Sequence, residues 1–258
     1  MGKVWFVGAG PGDAELITVK GMNLLNQAGA VLYAGSLVSQ AVLKWAPEGC
    51  EIADSKSMTL EEITAWLIEK AQKHPTVIRL QTGDPGLYGA LIEMARPLDE
   101  AGVEMAVVPG VSSAFASAAA AGESLTLPEV TQTVILTRTE GRTPMPEGED
   151  LVSLARHHCT LCIFLSISLT DRVQAALGEA GWQEESPILI VQKASWPGEE
   201  KILRSNLKDF AEDCREAGIK SQAMIIASPT LGAKDWPSLK GSKLYDASYS
   251  HQFRKANA

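Results

Sequence analysis

Residues 7–16 read VGAGPGDAEL, an apolar run that turns into three glycines and a proline and closes on two acids. Glycines directly after a strand let a ligand come close to bare backbone, because no Cβ stands in the way. The first comparison is with the dinucleotide fingerprint Gly-x-Gly-x-x-Gly. Gly8 and Gly10 match it, but the third position is Asp13, and Pro11 stiffens the middle of the loop. The acid expected about 20 residues further on, at the end of the second strand, is missing from VLYAGS.

Charge gives the mechanistic reason. A pyrophosphate needs exposed N–H groups and the positive end of a helix, whereas Asp13 brings a carboxylate to that place. A dinucleotide is therefore disfavoured. A ligand that is cationic or lacks phosphate fits better, and S-adenosylmethionine, a sulfonium carrying an adenosine and an amino acid, is of that kind.

Working outward, KVWFVGAG is a strand ending in the glycine turn and LITVKGMNLLNQAG the helix after it. AVLYAG is a second strand. MTLEEITAWLIEKAQKH is a helix with a capping box at Thr59 and Glu62, and with Leu60, Ile63, Leu67 and Ala71 at helical spacing. TVIRLQTGDPG is a strand running into a turn. LYGALIEMARPLDEAG is a helical stretch that Pro97 should kink or end, and VEMAVVPG is one more strand and turn. Strands alternating with helices predict an α/β domain with a largely parallel sheet. Ligands bind outside the carboxyl ends of such strands, where three Gly-rich turns fall at 8–12, 83–86 and 109–110.

SSAFASAAAAGESL predicts a closely packed helix leading into a second α/β half. Its strand candidates are TQTVILTR, TLCIFLSI, PILIVQK, KILRSNL and QAMIIAS. TDRVQAALGEAG and SNLKDFAEDCREAG are amphipathic helices that each stop at a glycine. The expected division is 1–111, 112–246 and a polar, loose tail at 247–258.

The 258 residues are 45% apolar and 21% charged, as in ordinary globular proteins. A net charge of −8 argues against a nucleic-acid partner, which needs a phosphate-neutralising surface. No apolar run reaches the roughly 18 residues of a membrane span. The opening MGKVWFVGAG is a first strand, not a signal peptide, and Phe6 breaks the myristoylation pattern. Without an export signal, Cys50, Cys159, Cys162 and Cys214 are expected as free thiols of a cytoplasmic protein. HHCTLC has a metal-clip look, but Cys162 falls in an apolar strand and no second pair exists, so no metal site is expected.

VGAGPGDAELIT, RLQTGDPGLYG and VVPGVSS together resemble the tetrapyrrole methyltransferase family, in its motif order and over about residues 3–232. LYAGSLVS and TRTEGRTPMPEGE are similar to the branch that methylates carbon 11 of precorrin-4 or its cobalt form. The resemblance implies an S-adenosylmethionine-dependent C-methyltransferase, releasing S-adenosylhomocysteine. It also implies two α/β domains with a cleft between them, and a homodimer. By motif it assigns cofactor contacts to Pro11, to Thr82, Gly83 and Asp84 with Leu87 just beyond, to Ser112 and Ser113, and to Leu165 and Ala194.

Two of these assignments have an ordinary structural alternative. Asp-Pro-Gly is a strong turn sequence by itself, but its place at a strand end beside two similar loops favours binding. Ser112 and Ser113 are also suited to capping the alanine-rich helix. In the uroporphyrinogen branch an Asp proton acceptor follows the Tyr that ends the second strand. Here Tyr33 is followed by Ala34, which counts against uroporphyrinogen and leaves no carboxylate base there. That branch's Lys proton donor has its counterpart near Lys56, which reads equally well as a solvated lysine. Tyr33 and Ser36 are candidates to line the macrocycle. Arg138 and Arg142 are candidates to bind its carboxylates, the alternative being a solvated loop in which Glu140 pairs with them.

Overall fold

The computed structural model describes residues 1–255 and contains two compact units. The first comprises Met1–Ser117 together with Lys193–Lys201; the second comprises Ala118–Gln192 and the chain from Ile202 on. Residues 256–258 of the expected tail lie outside the described residues.

In the first unit, β1 (Lys3–Gly8), β2 (Ala30–Tyr33), β3 (Glu51–Asp54), β4 (Thr76–Gln81) and β5 (Met105–Val108) form one sheet in the order β3-β2-β4-β1-β5. All four pairings are parallel, as the alternating pattern predicts. Strands of this kind are apolar on both faces because both faces are covered. Val7, Val31, Ile78 and Leu80 pack with Leu25 of α1 (Val19–Leu25) and with Val42 of a 3-10 segment, Gln40–Trp45. On the other face Val4, Phe6, Leu32 and Val77 pack with Leu67 and Ala71 of α2 (Leu60–Lys73) and Met94 and Leu98 of α3 (Leu91–Glu100).

The capping box of α2 forms as expected: Thr59 Oγ1 accepts from the Glu62 amide while the Glu62 carboxylate accepts from the Thr59 amide. Leu67 and Ala71 are buried, but Leu60, in the first turn, is exposed. One expectation needs correcting, and a second is narrowed. The helix after β1 is shorter than its sequence pattern, because Asp13 and Thr18 cap two separate segments. Pro97 does not end α3, which runs three residues past it. The carbonyl that Pro97 cannot serve belongs to Glu93, an exposed residue. β3 is a short edge strand with no alternation to announce it.

In the second unit all five strand candidates form: β6 (Val134–Arg138), β7 (Thr160–Phe164), β8 (Pro187–Gln192), β9 (Lys201–Asn206) and β10 (Ala223–Ala227). Their order is β6-β7-β10-β8-β9. The sheet is mixed: β6 and β7 are parallel, and β10 runs antiparallel to both β7 and β8. The segment between β8 and β9 has no helix, so those neighbours lack the crossover that parallel strands require. Helices α4 (Ser113–Ala121), α5 (Leu151–Ala155), α6 (Thr170–Glu179) and α7 (Phe210–Glu216) complete the regular elements. Leu151, Val173, Leu177 and Phe210 pack on Leu161, Ile163, Ile190 and Ile225. Gly181 and Gly218, at φ 91° and 67°, take the left-handed turn after α6 and α7. All four cysteines are unpaired, and burial pushes the Cys162 thiol within β7 up to about 12. No described helix is long and apolar enough to cross a membrane.

Candidate active site

The three Gly-rich turns leave β4, β1 and β5, three neighbouring strands, at their carboxyl ends. There they pack backbone on backbone. The Gly83 amide donates to the Gly10 carbonyl at 2.8 Å, and the Ala9 amide to the Gln81 carbonyl at 2.7 Å. A Cβ on Gly110 would stand 2.0 Å from the Gly83 carbonyl oxygen, and one on Gly8 would stand 2.6 Å from Gly110 Cα. Both positions therefore need glycine. The Asp84 carboxylate laces the rim together, Oδ2 accepting from the Gly110 amide at 2.9 Å and Oδ1 from the Gly86 amide at 2.8 Å.

This rim is a poor phosphate site. Asp13 accepts from the Glu15 amide at 2.9 Å and caps only a 3-10 turn, Ala14–Leu16. The first α-helical turn begins after Thr18, whose Oγ1 accepts from the Gly21 amide at 3.1 Å. The Glu15 and Gly21 amides at these two segment starts are thus capped by the chain's own side chains, one of them anionic.

Eight of the nine assigned cofactor residues lie in the first unit: Pro11, Thr82, Gly83, Asp84, Leu87, Ser112, Ser113 and Ala194. Pro11, Gly83, Ser112 and Ala194 are buried, while Thr82, Asp84, Leu87 and Ser113 are half-buried. Ser112 Oγ accepts from the Ala114 amide at 3.3 Å, at the start of α4. Ala194 belongs to the stretch that sequence order places between β8 and β9. The ninth, Leu165, is in the second unit. It directly follows β7, is 60% exposed, and holds a left-handed backbone at φ 53°, a strained combination for a branched apolar residue.

Of the macrocycle candidates, Tyr33 is buried in the apolar cluster beneath β2, its hydroxyl accepting from Gln40 at 3.3 Å, and Ser36 is exposed in the next loop. The carboxylate missing after Tyr33 has a neighbour on the adjacent strand. Asp54 lies opposite Tyr33 in the register, and its Oδ1 accepts from the Gly35 and Lys56 amides, both at 3.0 Å. Partial desolvation raises the Asp54 pKa, but these amides and the Lys56 ammonium at 3.4 Å outweigh it, so the net shift is downward. Lys56 itself is 66% exposed along its side chain. Next to Asp54, Ser55 Oγ accepts from the buried Arg79 at 2.9 Å. Burial pushes that guanidinium down to about 10, with Asp54 opposing the shift.

The two arginines of the second unit differ. Arg138 donates to the carbonyls of Thr143 at 3.2 Å and Pro144 at 2.8 Å, so it folds its own loop. Arg142 is exposed and has no hydrogen-bond or ion-pair partner among the described residues. Neither pairs with the Glu140 carboxylate. Sequence reasoning missed Asp54, whose partner is set by β2–β3 register. It also missed Trp196, whose indole donates to the Pro11 carbonyl at 3.0 Å across 185 positions of sequence.

A parallel sheet whose adjacent strand ends converge as packed backbone, with α4 starting directly after the third turn, is the setting in which a family model matches. The tetrapyrrole (corrin/porphyrin) methylase model covers residues 3–211, and the chain belongs to that family. The cobalt-precorrin-4 C(11)-methyltransferase of Priestia megaterium is 48% identical over 98% of each chain. The X-ray structure of a cobalt precorrin-4 methyltransferase, a cobalamin biosynthetic enzyme, superposes with TM-score 0.85 at 49% identity, covering 88% of this chain and 94% of that one. Uroporphyrin-III C-methyl transferase from Thermus thermophilus, solved with S-adenosyl homocysteine, gives TM-score 0.76 at 31% identity, covering 90% and 94%.

Proposed function

We propose that this chain is an S-adenosylmethionine-dependent C-methyltransferase acting on carbon 11 of precorrin-4 or cobalt-precorrin-4. The match to the tetrapyrrole methylase family carries this reading, and the packed turns of Gly8, Gly83 and Gly110 at three adjacent strand ends support it as the methyl-donor rim. The donor supplies an electrophilic methyl on a sulfonium, and a neutral thioether departs. Thr82, Gly83, Leu87, Pro11, Ser112, Ser113, Ala194 and Leu165 are the residues assigned to hold it. Asp84 has two oxygens that each accept one amide, which leaves lone pairs for a ligand hydroxyl or ammonium.

With an activated donor, these residues contribute by alignment and by excluding water more than by acid–base chemistry. A carbon nucleophile must lie in line with the sulfur–methyl bond, and a rim locked by backbone bonds and glycine contacts holds its shape without reorganising. Arg142 is assigned to a substrate carboxylate, supported by its exposed and unengaged guanidinium. Tyr33 and Ser36 are assigned to the macrocycle side. Lys56 is assigned as proton donor, held beside ionised Asp54. Cytoplasmic location and a homodimeric assembly belong to the same proposal, supported by the family resemblance.

Separate incubation with precorrin-4 and with cobalt-precorrin-4, each with methyl-labelled S-adenosylmethionine, tests the reading. Label at carbon 11 of one product is expected. No transfer to either, or label at another carbon, refutes it.

A further inference from the structure

We infer that Trp196 is a positioning residue for the methyl-donor loop, acting through Pro11 and Gly12 and not through the ligand itself. The inference deepens the proposed function and rests on it. The segment Lys193–Lys201 lies between β8 and β9 in sequence yet belongs to the first unit. There it fastens the first glycine loop at two points. Trp196 Nε1 donates to the Pro11 carbonyl at 3.0 Å, and Ser195 Oγ accepts from the Asp13 amide at 3.1 Å.

Packing agrees with the hydrogen bonds. A Cβ on Gly12 would come within 2.1 Å of the Trp196 ring, so the indole lies flush against that residue's backbone. Pro11 and Gly12 are both buried. The segment is itself braced. Lys193 pairs with Glu199 and has its ammonium 5.0 Å from the centre of the Trp196 ring, and the Ser195 amide donates to Glu200 at 2.5 Å. Lys193 and Ser195 hold left-handed backbones at φ 50° and 67° without being glycine, a cost that a specified loop shape explains. A second indole follows along the chain, Trp45 Nε1 donating to the Ala14 carbonyl at 3.4 Å.

The consequence is specific. Holding the Pro11 carbonyl by an outside donor fixes the loop's backbone before the methyl donor arrives, which lowers the ordering cost of binding. Loss of the indole N–H should therefore appear in donor affinity and not in turnover of the saturated enzyme.

The test uses the full-length protein with Trp196→Phe, which keeps a ring over Gly12 and removes the N–H, and Ser195→Ala, which removes the second fastening. S-adenosylhomocysteine affinity is measured by calorimetry, and KM for each substrate and kcat by methyl transfer. The expected result for Trp196→Phe is about tenfold weaker S-adenosylhomocysteine binding, the scale of one hydrogen bond. KM for S-adenosylmethionine should rise in proportion, with kcat and the tetrapyrrole KM unchanged. Unaltered affinity in a folded Trp196→Phe protein overturns the inference, as does an equal loss for both substrates. If that variant does not fold, Ser195→Ala decides by the same split, because a half-buried hydroxyl is removed without opening a cavity. A wild-type protein that binds no S-adenosylhomocysteine would instead refute the proposed function.

Discussion

Asp84 joins two loops that are 26 positions apart: its Oδ2 accepts the Gly110 amide at 2.9 Å while its Oδ1 accepts the Gly86 amide in its own turn. Hydrogen bonds to a charged acceptor are stronger than neutral ones, and here they hold the β4 and β5 turns in mutual register. Asp84→Ala should cost about 1.5–3 kcal/mol of stability and weaken S-adenosylhomocysteine binding. Asp84→Asn, which keeps one acceptor oxygen, should fall between wild type and the alanine variant. Thermal unfolding paired with calorimetry checks both.

Steric closeness gives the next expectation. Gly110→Ala would drive a methyl to 2.0 Å from the Gly83 carbonyl oxygen, so backbone must shift in two loops at once. Stability should drop by about 1–3 kcal/mol and donor binding should be lost. The contrast is Gly178, inside α6 with nothing within 4 Å of a Cβ. Gly178→Ala should raise stability by about 0.5–1 kcal/mol and leave binding alone, because only helix propensity changes.

The second-unit arginines should separate in kinetics. Arg142→Ala is expected to raise KM for the tetrapyrrole by about tenfold, the scale of a single charge-assisted hydrogen bond, with S-adenosylhomocysteine affinity unchanged. Arg138→Ala removes donors to three loop carbonyls, those of Thr139, Thr143 and Pro144, so it should increase proteolytic cleavage around residues 139–144 as well. Equal weakening of both ligands on Arg142→Ala, or of neither, removes Arg142 from the site.

Away from the rim, Glu51 couples edge strand β3 to α2, accepting from Lys70 at 2.6 Å and lying 2.7 Å from His74 Nε2. The Lys70 bond, then the His74 bond, lower its pKa from 4.5 to about 2. A carboxyl whose folded pKa is depressed stabilises fully above its unfolded value and loses that contribution as pH falls through the folded one. Glu51→Gln should therefore lower the urea midpoint at pH 7, with the gap to wild type closing as pH drops from 4.5 toward 2. A gap that stays constant across that window would show the carboxylate to be uninvolved.

Much of the architecture was legible because periodicity and turn chemistry are local. The Thr59–Glu62 box, the glycines after α6 and α7, and the three turns at strand ends each follow from a few adjacent residues. The fastening of Pro11 by Trp196 was not legible, since no local pattern relates residues 185 positions apart. Asp54 was hidden for a related reason: β3 is short, and only its pairing with β2 brings a carboxylate opposite Tyr33. Pro97 left a kink and an end both open, because a proline removes one helical hydrogen bond wherever it stands, and α3 continues to Glu100. The mixed direction of the second sheet was equally closed to inspection, as alternation fixes faces but not strand polarity.

The central claim is that the glycine rim of the first sheet receives a sulfonium donor and rejects a diphosphate. Parallel calorimetric titrations of the purified protein with S-adenosylhomocysteine and with NAD test it most directly. Saturable binding of S-adenosylhomocysteine at one site per chain, with no heat from NAD, is the predicted result. Tight NAD binding with S-adenosylhomocysteine ignored would contradict it.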